Sequence, residues 1–314
     1  MRYRRLGRSG LEVSVVGIGC NNFGRALDAE GTERVVRAAL DYGVNFFDTA
    51  DSYGQGRSEE YLGRALRGRR HEAIIATKVG WELGPGPNQR GASRARILAG
   101  IETSLRKLGT DYVDLYQIHR WDPHTPLEET LEALNDVVRQ GKARYVGCSN
   151  FAAWQLVWSL WLCDRRGWTS FVTVQPEYSL LNREVERELL PACQAFGVGV
   201  IPYFPLAAGM LTGKYREQEP PPPGTRFAQL EHMRHRFATP RNFEIVRRLE
   251  AWVRKRDHTL SELAIAWLLA RPGVCTVIAG ATSPEQVQAN ARAAEWELTP
   301  EEVEEVSRLA PLEG

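Results

Sequence analysis

The feature that most restricts this chain is a strand-then-helix unit that recurs at a nearly constant period. Short β-branched runs end at Asp48, Lys78, His119, Ser149, Gln175 and Tyr203. The intervals Asp48–Lys78, His119–Ser149, Ser149–Gln175 and Gln175–Tyr203 are 30, 30, 26 and 28 residues. Eight strands are expected, at Ser14–Ile18, Asn45–Asp48, Ala73–Lys78, Val113–His119, Tyr145–Ser149, Val172–Gln175, Gly199–Tyr203 and Cys275–Ile278. Amphipathic helices are expected between them, at Thr32–Tyr42, Ser58–Leu66, Ser93–Leu108, Pro126–Gln140, Ala152–Arg166, Val185–Phe196 and Ser261–Ala270. Strands alternating with helices give a parallel sheet, and eight such units close a barrel. The pattern therefore predicts an α/β fold, a (β/α)8 TIM barrel, with residues 1–314 as one domain.

Glycines at 43, 109, 141 and 167 stand where helices should stop. Tyr3–Leu6 and Leu11–Val13 read as a hairpin able to plug the barrel's bottom. Two additional helices are expected, Asn242–Arg256 and Thr299–Leu309. The segment from Phe204 to Pro240, with Pro220–Gly224 inside it, is long enough to act as a lid.

Composition narrows the function. A formal net charge of +1 gives no global field toward nucleic acid or an anionic membrane, and neither is expected as a partner. No apolar run reaches the roughly 18 residues of a membrane helix, and no signal peptide is read. The 5 cysteines are scattered with no CxxC pair, which suits a reducing, cytoplasmic setting and no thiolate metal site. The pair His232 and His235 has no carboxylate or cysteine cluster beside it, so no metal is expected. Only 5 of the 40 basic residues are lysines, so a lysine at a strand end asks for a reason.

In barrels of this kind, chemistry gathers where strands end. Asp48, Lys78 and His119 stand at consecutive strand ends, and Tyr53 lies in the loop after Asp48. A free phenol, with a pKa of about 10, is a poor acid at neutral pH, and a nearby cation lowers it by about 1–3 units. Lys78 supplies that cation, Asp48 holds it charged, and His119 can donate to a carbonyl oxygen. The set suits protonation of an alkoxide as it forms, which is the acid half of carbonyl reduction. The run Gly17–Gly24 lacks the third glycine of a GxGxxG turn, because position 22 is Asn22, and no Tyr-x-x-x-Lys is present. A Rossmann-type reductase is therefore excluded.

Asp48-Thr-Ala-Asp-Ser-Tyr53-Gly54, Ala76-Thr-Lys78, Gln117-Ile-His119 and Gly147-Cys-Ser149-Asn150-Phe151 resemble, in order, the motifs of the aldo-keto reductase family. Gln175, Tyr203–Leu206, Gly209–Lys214 and Gly280–Gln286 with Asn290 continue the likeness to the end of the chain. The resemblance implies NADP(H) as cofactor and Tyr53 as acid, with Asp48, Lys78 and His119 beside it. It implies Ser149, Asn150 and Gln175 at the nicotinamide carboxamide and Tyr203 stacked on the ring. Leu206, Gly209, Leu211 and Lys214 would line the pyrophosphate, with Arg226 a further phosphate contact. Gly280, Thr282, Gln286 and Asn290 would hold the adenosine end. Gly280 and Gln286 stand where many NADPH users carry a cation, which leaves an NAD-linked sugar or polyol dehydrogenase as an alternative. A cofactor-retaining binding subunit, as in potassium-channel β-subunits of the same fold, is the other. Trp81 and Trp121, just past Lys78 and His119, are expected in the wall of the pocket for a small-molecule carbonyl substrate. The stripe Phe151, Trp154, Trp158 and Trp161 reads as core or an oligomer contact, and the sequence does not set the oligomeric state.

Overall fold

The computed structural model describes residues 1–312. An N-terminal antiparallel hairpin pairs β1 (Tyr3–Arg5) with β2 (Glu12–Ser14). Eight strands then form one sheet: β3 (Val16–Gly19), β4 (Phe46–Asp48), β5 (Ile74–Val79), β6 (Val113–Ile118), β7 (Ala143–Ser149), β8 (Phe171–Gln175), β9 (Gly199–Val200) and β10 (Val277–Gly280). All neighbours run parallel, and β10 returns to pair with β3. The seam beside β9 carries a parallel bridge between Val200 and Val274. There the Val200 N–H donates to the Gly273 carbonyl at 2.8 Å, and the Cys275 N–H donates to the Val200 carbonyl at 3.0 Å. The sheet curls round as the predicted (β/α)8 barrel.

Helices α1 (Ala29–Asp41), α2 (Arg57–Ala65), α3 (Arg94–Leu108), α4 (Leu127–Arg139), α5 (Ala153–Arg166) and α6 (Leu189–Phe196) follow β3 to β8 in turn. Their ends carry local signals. Asp28 caps α1 and Ser93 caps α3, each accepting a backbone N–H, and Gly109 ends α3 at φ 64°. The excursion after β9 is more structured than a bare lid: it holds a 3-10 segment (Ala207–Thr212), α7 (Arg226–Gln229) and α8 (Glu231–Phe237). The two additional helices are present as α9 (Pro240–Val253) and α12 (Pro300–Leu309), and α10 (Leu260–Leu269) is the seventh barrel helix. The eighth, α11 (Pro284–Ala293), was not expected as a helix. Its alanines give a narrow buried face of Val287, Asn290, Ala291 and Ala293, too weak to read as a periodic apolar stripe.

Period two along the strands sorts the side chains. In β5, Ile74, Ala76 and Lys78 face the barrel interior, while Ile75 faces the helix layer. The hairpin closes one end: its Leu6 and Val13 pack with Phe46, Leu115, Val172 and Ile201 inside the barrel. A side chain at Gly7, which sits at φ +58°, would stand 2.1 Å from the Val172 carbonyl oxygen, so only glycine lets the turn enter. With that end filled, the polar residues at the strand C-termini are left to line the other.

Candidate active site

Strand β4 presents Asp48 and β5 presents Lys78, both inward and both almost fully buried. The Lys78 ammonium donates to Asp48 Oδ2 at 2.5 Å, to the Thr49 carbonyl at 3.0 Å and to the Tyr53 hydroxyl oxygen at 3.2 Å. An ammonium has three donors and no acceptor. The Tyr53 oxygen must therefore accept from Lys78, and its own proton is left for another acceptor. The loop that delivers Tyr53 is tightly wound: Gly54, Gln55 and Gly56 all lie in the left-handed region, at φ 57°, 59° and 86°.

Asp48 is held from both sides. Its Oδ1 accepts from the Gln175 amide at 2.9 Å and from the Gln117 amide at 3.3 Å. Gln117 was not singled out from the sequence. It lies two residues before His119, in register with Lys78, so strand periodicity places it on the same inner face.

Burial sets the protonation states. It works against the Lys78 ammonium, but Asp48 and then Tyr53 outweigh it, and the pKa lies above 10.5. Burial raises the Tyr53 phenol above 10, and Lys78 reverses this only in part. The expected net lowering by the cation is thus corrected: removal from water is the larger effect. His119 is pushed down to about 3 by burial, with Lys78 and Arg120 adding to it. It is a neutral imidazole at pH 7. Its Nδ1 is buried with no partner among the described residues, which favours the tautomer with the proton on Nε2. The rings of Tyr53 and His119 meet edge-on at 5.8 Å, and Trp81 packs on His119 at 5.1 Å.

A cavity of about 520 Å³ runs from this centre along the strand ends. It is lined by Asp48, Tyr53, Trp81 and His119, and then by Ser149, Asn150, Gln175, Tyr203, Leu206, Gly209, Lys214, Arg226, Gly280, Gln286 and Asn290. Much of the lining is mutually bonded. Tyr203 donates its hydroxyl to Asn150 Oδ1 at 2.8 Å, and the Asn150 amide donates to Ser149 Oγ at 3.1 Å. At the far end Gln286 Oε1 accepts from the Thr282 N–H at 2.8 Å, which leaves its amide as a donor.

The sequence profile of the Aldo/keto reductase family matches residues 15–311. The chain belongs to that family. It is 40% identical to a probable voltage-gated potassium channel subunit beta of Arabidopsis thaliana, over 93% of this chain and 91% of that protein. It is 37% identical to L-glyceraldehyde 3-phosphate reductase of Escherichia coli (93% and 87%) and 34% identical to versiconal hemiacetal acetate reductase of Aspergillus parasiticus (97% and 95%). Membership makes this chain an oxidoreductase acting on carbonyl or alcohol groups, in a family that uses NAD(P)H.

Four residues expected in the aldo/keto reductase site do not line the cavity: Lys78, fully buried and bonded to the Tyr53 hydroxyl, and Leu211, Thr282 and Trp121. Leu211 is fully buried, turned into the core by Ala207, Ala208 and Gly209 at φ 46°, 56° and 97°. Thr282 serves the start of α11 through Gln286. Trp121 packs instead with Phe151, Trp154 and Trp158. Of the stripe read as core or an oligomer contact, Phe151 is in the core, whereas Trp154, Trp158 and Trp161 are exposed by 57%, 40% and 56% and are not. The cavity also takes in Asn21, Asn22 and Ser261, which were not foreseen. A family dinucleotide fits this groove. Lys214 and Arg226 line it with no acidic partner among the described residues, and Asn290 Nδ2 is buried and unpartnered. Burial depresses the Arg226 pKa, and the nearby Arg25 adds to this. Two adjacent guanidiniums at a cleft suit an anion.

Proposed function

We propose that this chain reduces aldehydes or ketones to alcohols with NADPH, and that Tyr53 donates the proton. The observation that carries the reading is the one-way bond from Lys78 to the Tyr53 oxygen, which leaves the phenolic proton free for a substrate. His119, neutral and with its proton on Nε2, would donate a second hydrogen bond to the same carbonyl oxygen and fix its direction. As the alkoxide forms, Tyr53 gives up its proton and Lys78 stabilises the phenolate left behind. Asp48, gripped by Gln117 and Gln175, keeps Lys78 charged and in place.

The bound dinucleotide would supply the hydride. Ser149, Asn150 and Gln175 would hold its carboxamide; one N–H of the Gln175 amide goes to Asp48, which leaves its second N–H and its carbonyl oxygen. Tyr203 would flank the ring. Lys214 and Arg226 would meet the phosphates, and Gly280, Gln286 and Asn290 the adenosine end. The preference for NADPH over NADH rests on these cations and on Arg25, which bonds to the groove residue Asn22 at 2.9 Å. Arg236, another possible clamp, is bound to Glu177 at 2.5 Å.

The test is oxidation of NADPH, and separately of NADH, by the purified chain with 4-nitrobenzaldehyde, together with Kd values for both dinucleotides. Turnover with NADPH bound more tightly is expected. Tight dinucleotide binding with no turnover of any aldehyde or ketone would favour a second reading, a cofactor-retaining partner subunit. The resemblance to a protein named as a potassium channel subunit motivates it.

A further inference from the structure

A second cavity, of about 490 Å³, opens on the other side of Tyr53, Trp81 and His119, the three residues it shares with the dinucleotide groove. Its remaining wall is Asp51, Ser52, Gln55, Glu82, Leu83 and Lys107. Lys107 comes from the last turn of α3, a different element from those carrying the tetrad, and is one of only 5 lysines in the chain.

Three observations mark it. First, it has no salt bridge or hydrogen bond among the described residues, although it is only partly exposed. The nearest counter-charge, Asp51, gives its Oδ2 to a buried ion pair with Arg96; its Oδ1 has no hydrogen-bond partner, and Lys107 acts on this carboxyl only through space, without a bond. Glu82 stands exposed at the lip, where water screens it. Second, the fold makes room for the ammonium. A Cβ on Gly56 would stand 1.9 Å from Lys107 Nζ and 3.0 Å from its Cε. Gly56 also sits at φ +86°, so this position, three residues from Tyr53, is glycine for two separate reasons. Third, the Arg120 guanidinium lies over the Trp81 ring at 5.2 Å, adding positive charge beside the same wall.

We propose that Lys107 forms an anion subsite of the substrate cavity, so that the preferred carbonyl substrates carry a carboxylate or phosphate remote from the reacting carbon. The proposal rests on the reading of Tyr53 and His119 as the groups that receive the carbonyl. An unpaired ammonium in a partly desolvated wall gains a charge-assisted hydrogen bond from such a tail, and a neutral tail offers it nothing comparable.

The experiment compares kcat/KM for three benzaldehydes that differ only at position 4: nitro, carboxylate and phosphate. The readout is the ratio of each anionic substrate to the neutral one, in wild type, Lys107→Met and Lys107→Arg. Lys107→Met should lower at least one ratio about fivefold or more, and Lys107→Arg should keep most of it. Raising the salt concentration should lower the wild-type ratio and leave that of Lys107→Met nearly flat. Which ratio falls tells carboxylate from phosphate. Ratios unchanged in Lys107→Met, while the nitro compound is still reduced, overturn the subsite alone. No turnover of any of the three by wild type overturns the carbonyl-reduction reading, and the subsite with it.

Discussion

Replacing Lys78 by Met tests the proton-donor arrangement most directly. Lys78 Nζ stands 3.2 Å from the Tyr53 oxygen. At an effective dielectric constant of about 20, a full phenolate at that separation gains about 5 kcal/mol from the ammonium. If half of that charge has developed in the transition state, the loss is about 2.5 kcal/mol, roughly 70-fold in rate. The variant also leaves Asp48, with no ammonium to balance it, behind the phenol, so a fall in kcat/KM of about a hundredfold or more is expected. If Tyr53 is the proton donor, its acid form is the active one in reduction, so activity is present below its pKa and lost as pH rises through it. That pKa lies above 10 already, and without the cation it rises further. The alkaline limb of the reduction profile should thus move upward while the plateau falls. The assay is kcat/KM for 4-nitrobenzaldehyde across pH, with dinucleotide titration as a check on folding. An unchanged profile at full activity would refute the argument and make Lys78 a structural residue.

Tyr53→Phe should lower carbonyl reduction by about 10²–10⁴-fold with dinucleotide binding retained; near wild-type turnover sinks the assignment. His119, held neutral down to about pH 3, should give no limb in the reduction profile near pH 6.5. A limb there that disappears in His119→Asn would contradict the neutral imidazole. Glu59 is fully buried and accepts from Thr77 Oγ1 at 2.6 Å, and burial raises its carboxyl from 4.5 to about 7. Between those values the folded chain holds a proton that the unfolded chain has lost. Its stabilising contribution, of order 3 kcal/mol, is therefore present below about pH 4.5 and lost as pH rises through about 7. Glu59→Gln should accordingly gain Tm relative to wild type between pH 5 and pH 8, and an equal difference at both pH values is the negative result. Gln286→Arg should widen the preference for NADPH over NADH by about tenfold in the ratio of Kd values; no change would place the 2′-phosphate away from α11.

Strand period and strand ends are local facts, and they made the barrel and the meeting of Asp48, Tyr53, Lys78 and His119 legible. A parallel strand fixes which side chains face inward, and consecutive strands must be neighbours, so three strand-end residues and the tyrosine of one following loop had to share a mouth. The hairpin plug followed likewise from glycines and apolar alternation at the N-terminus. The α11 helix did not, because a helix built largely of alanine and polar residues gives no periodic contrast.

Whatever depended on burial or on distant partners stayed out of reach. Whether Lys78 or desolvation governs Tyr53 is a balance between a charge at 3.2 Å and the loss of water around a phenol, and only the packed barrel sets the second term. Gln117 and Gln175 converge on Asp48 across sequence separations of 69 and 127 residues. Leu211, Thr282 and Trp121 sit where the motifs suggested, yet a left-handed turn, a helix start and an aromatic cluster direct them away from the cavity. Lys107, at the end of a helix, carried no motif, and its place in the wall of the second cavity depends on the space left by Gly56. The sequence by itself determined the periodic scaffold and the order of chemical groups along it. The tertiary structure decided which groups lose water, which find partners and which are left free, because those depend on neighbours the chain supplies only once it has folded.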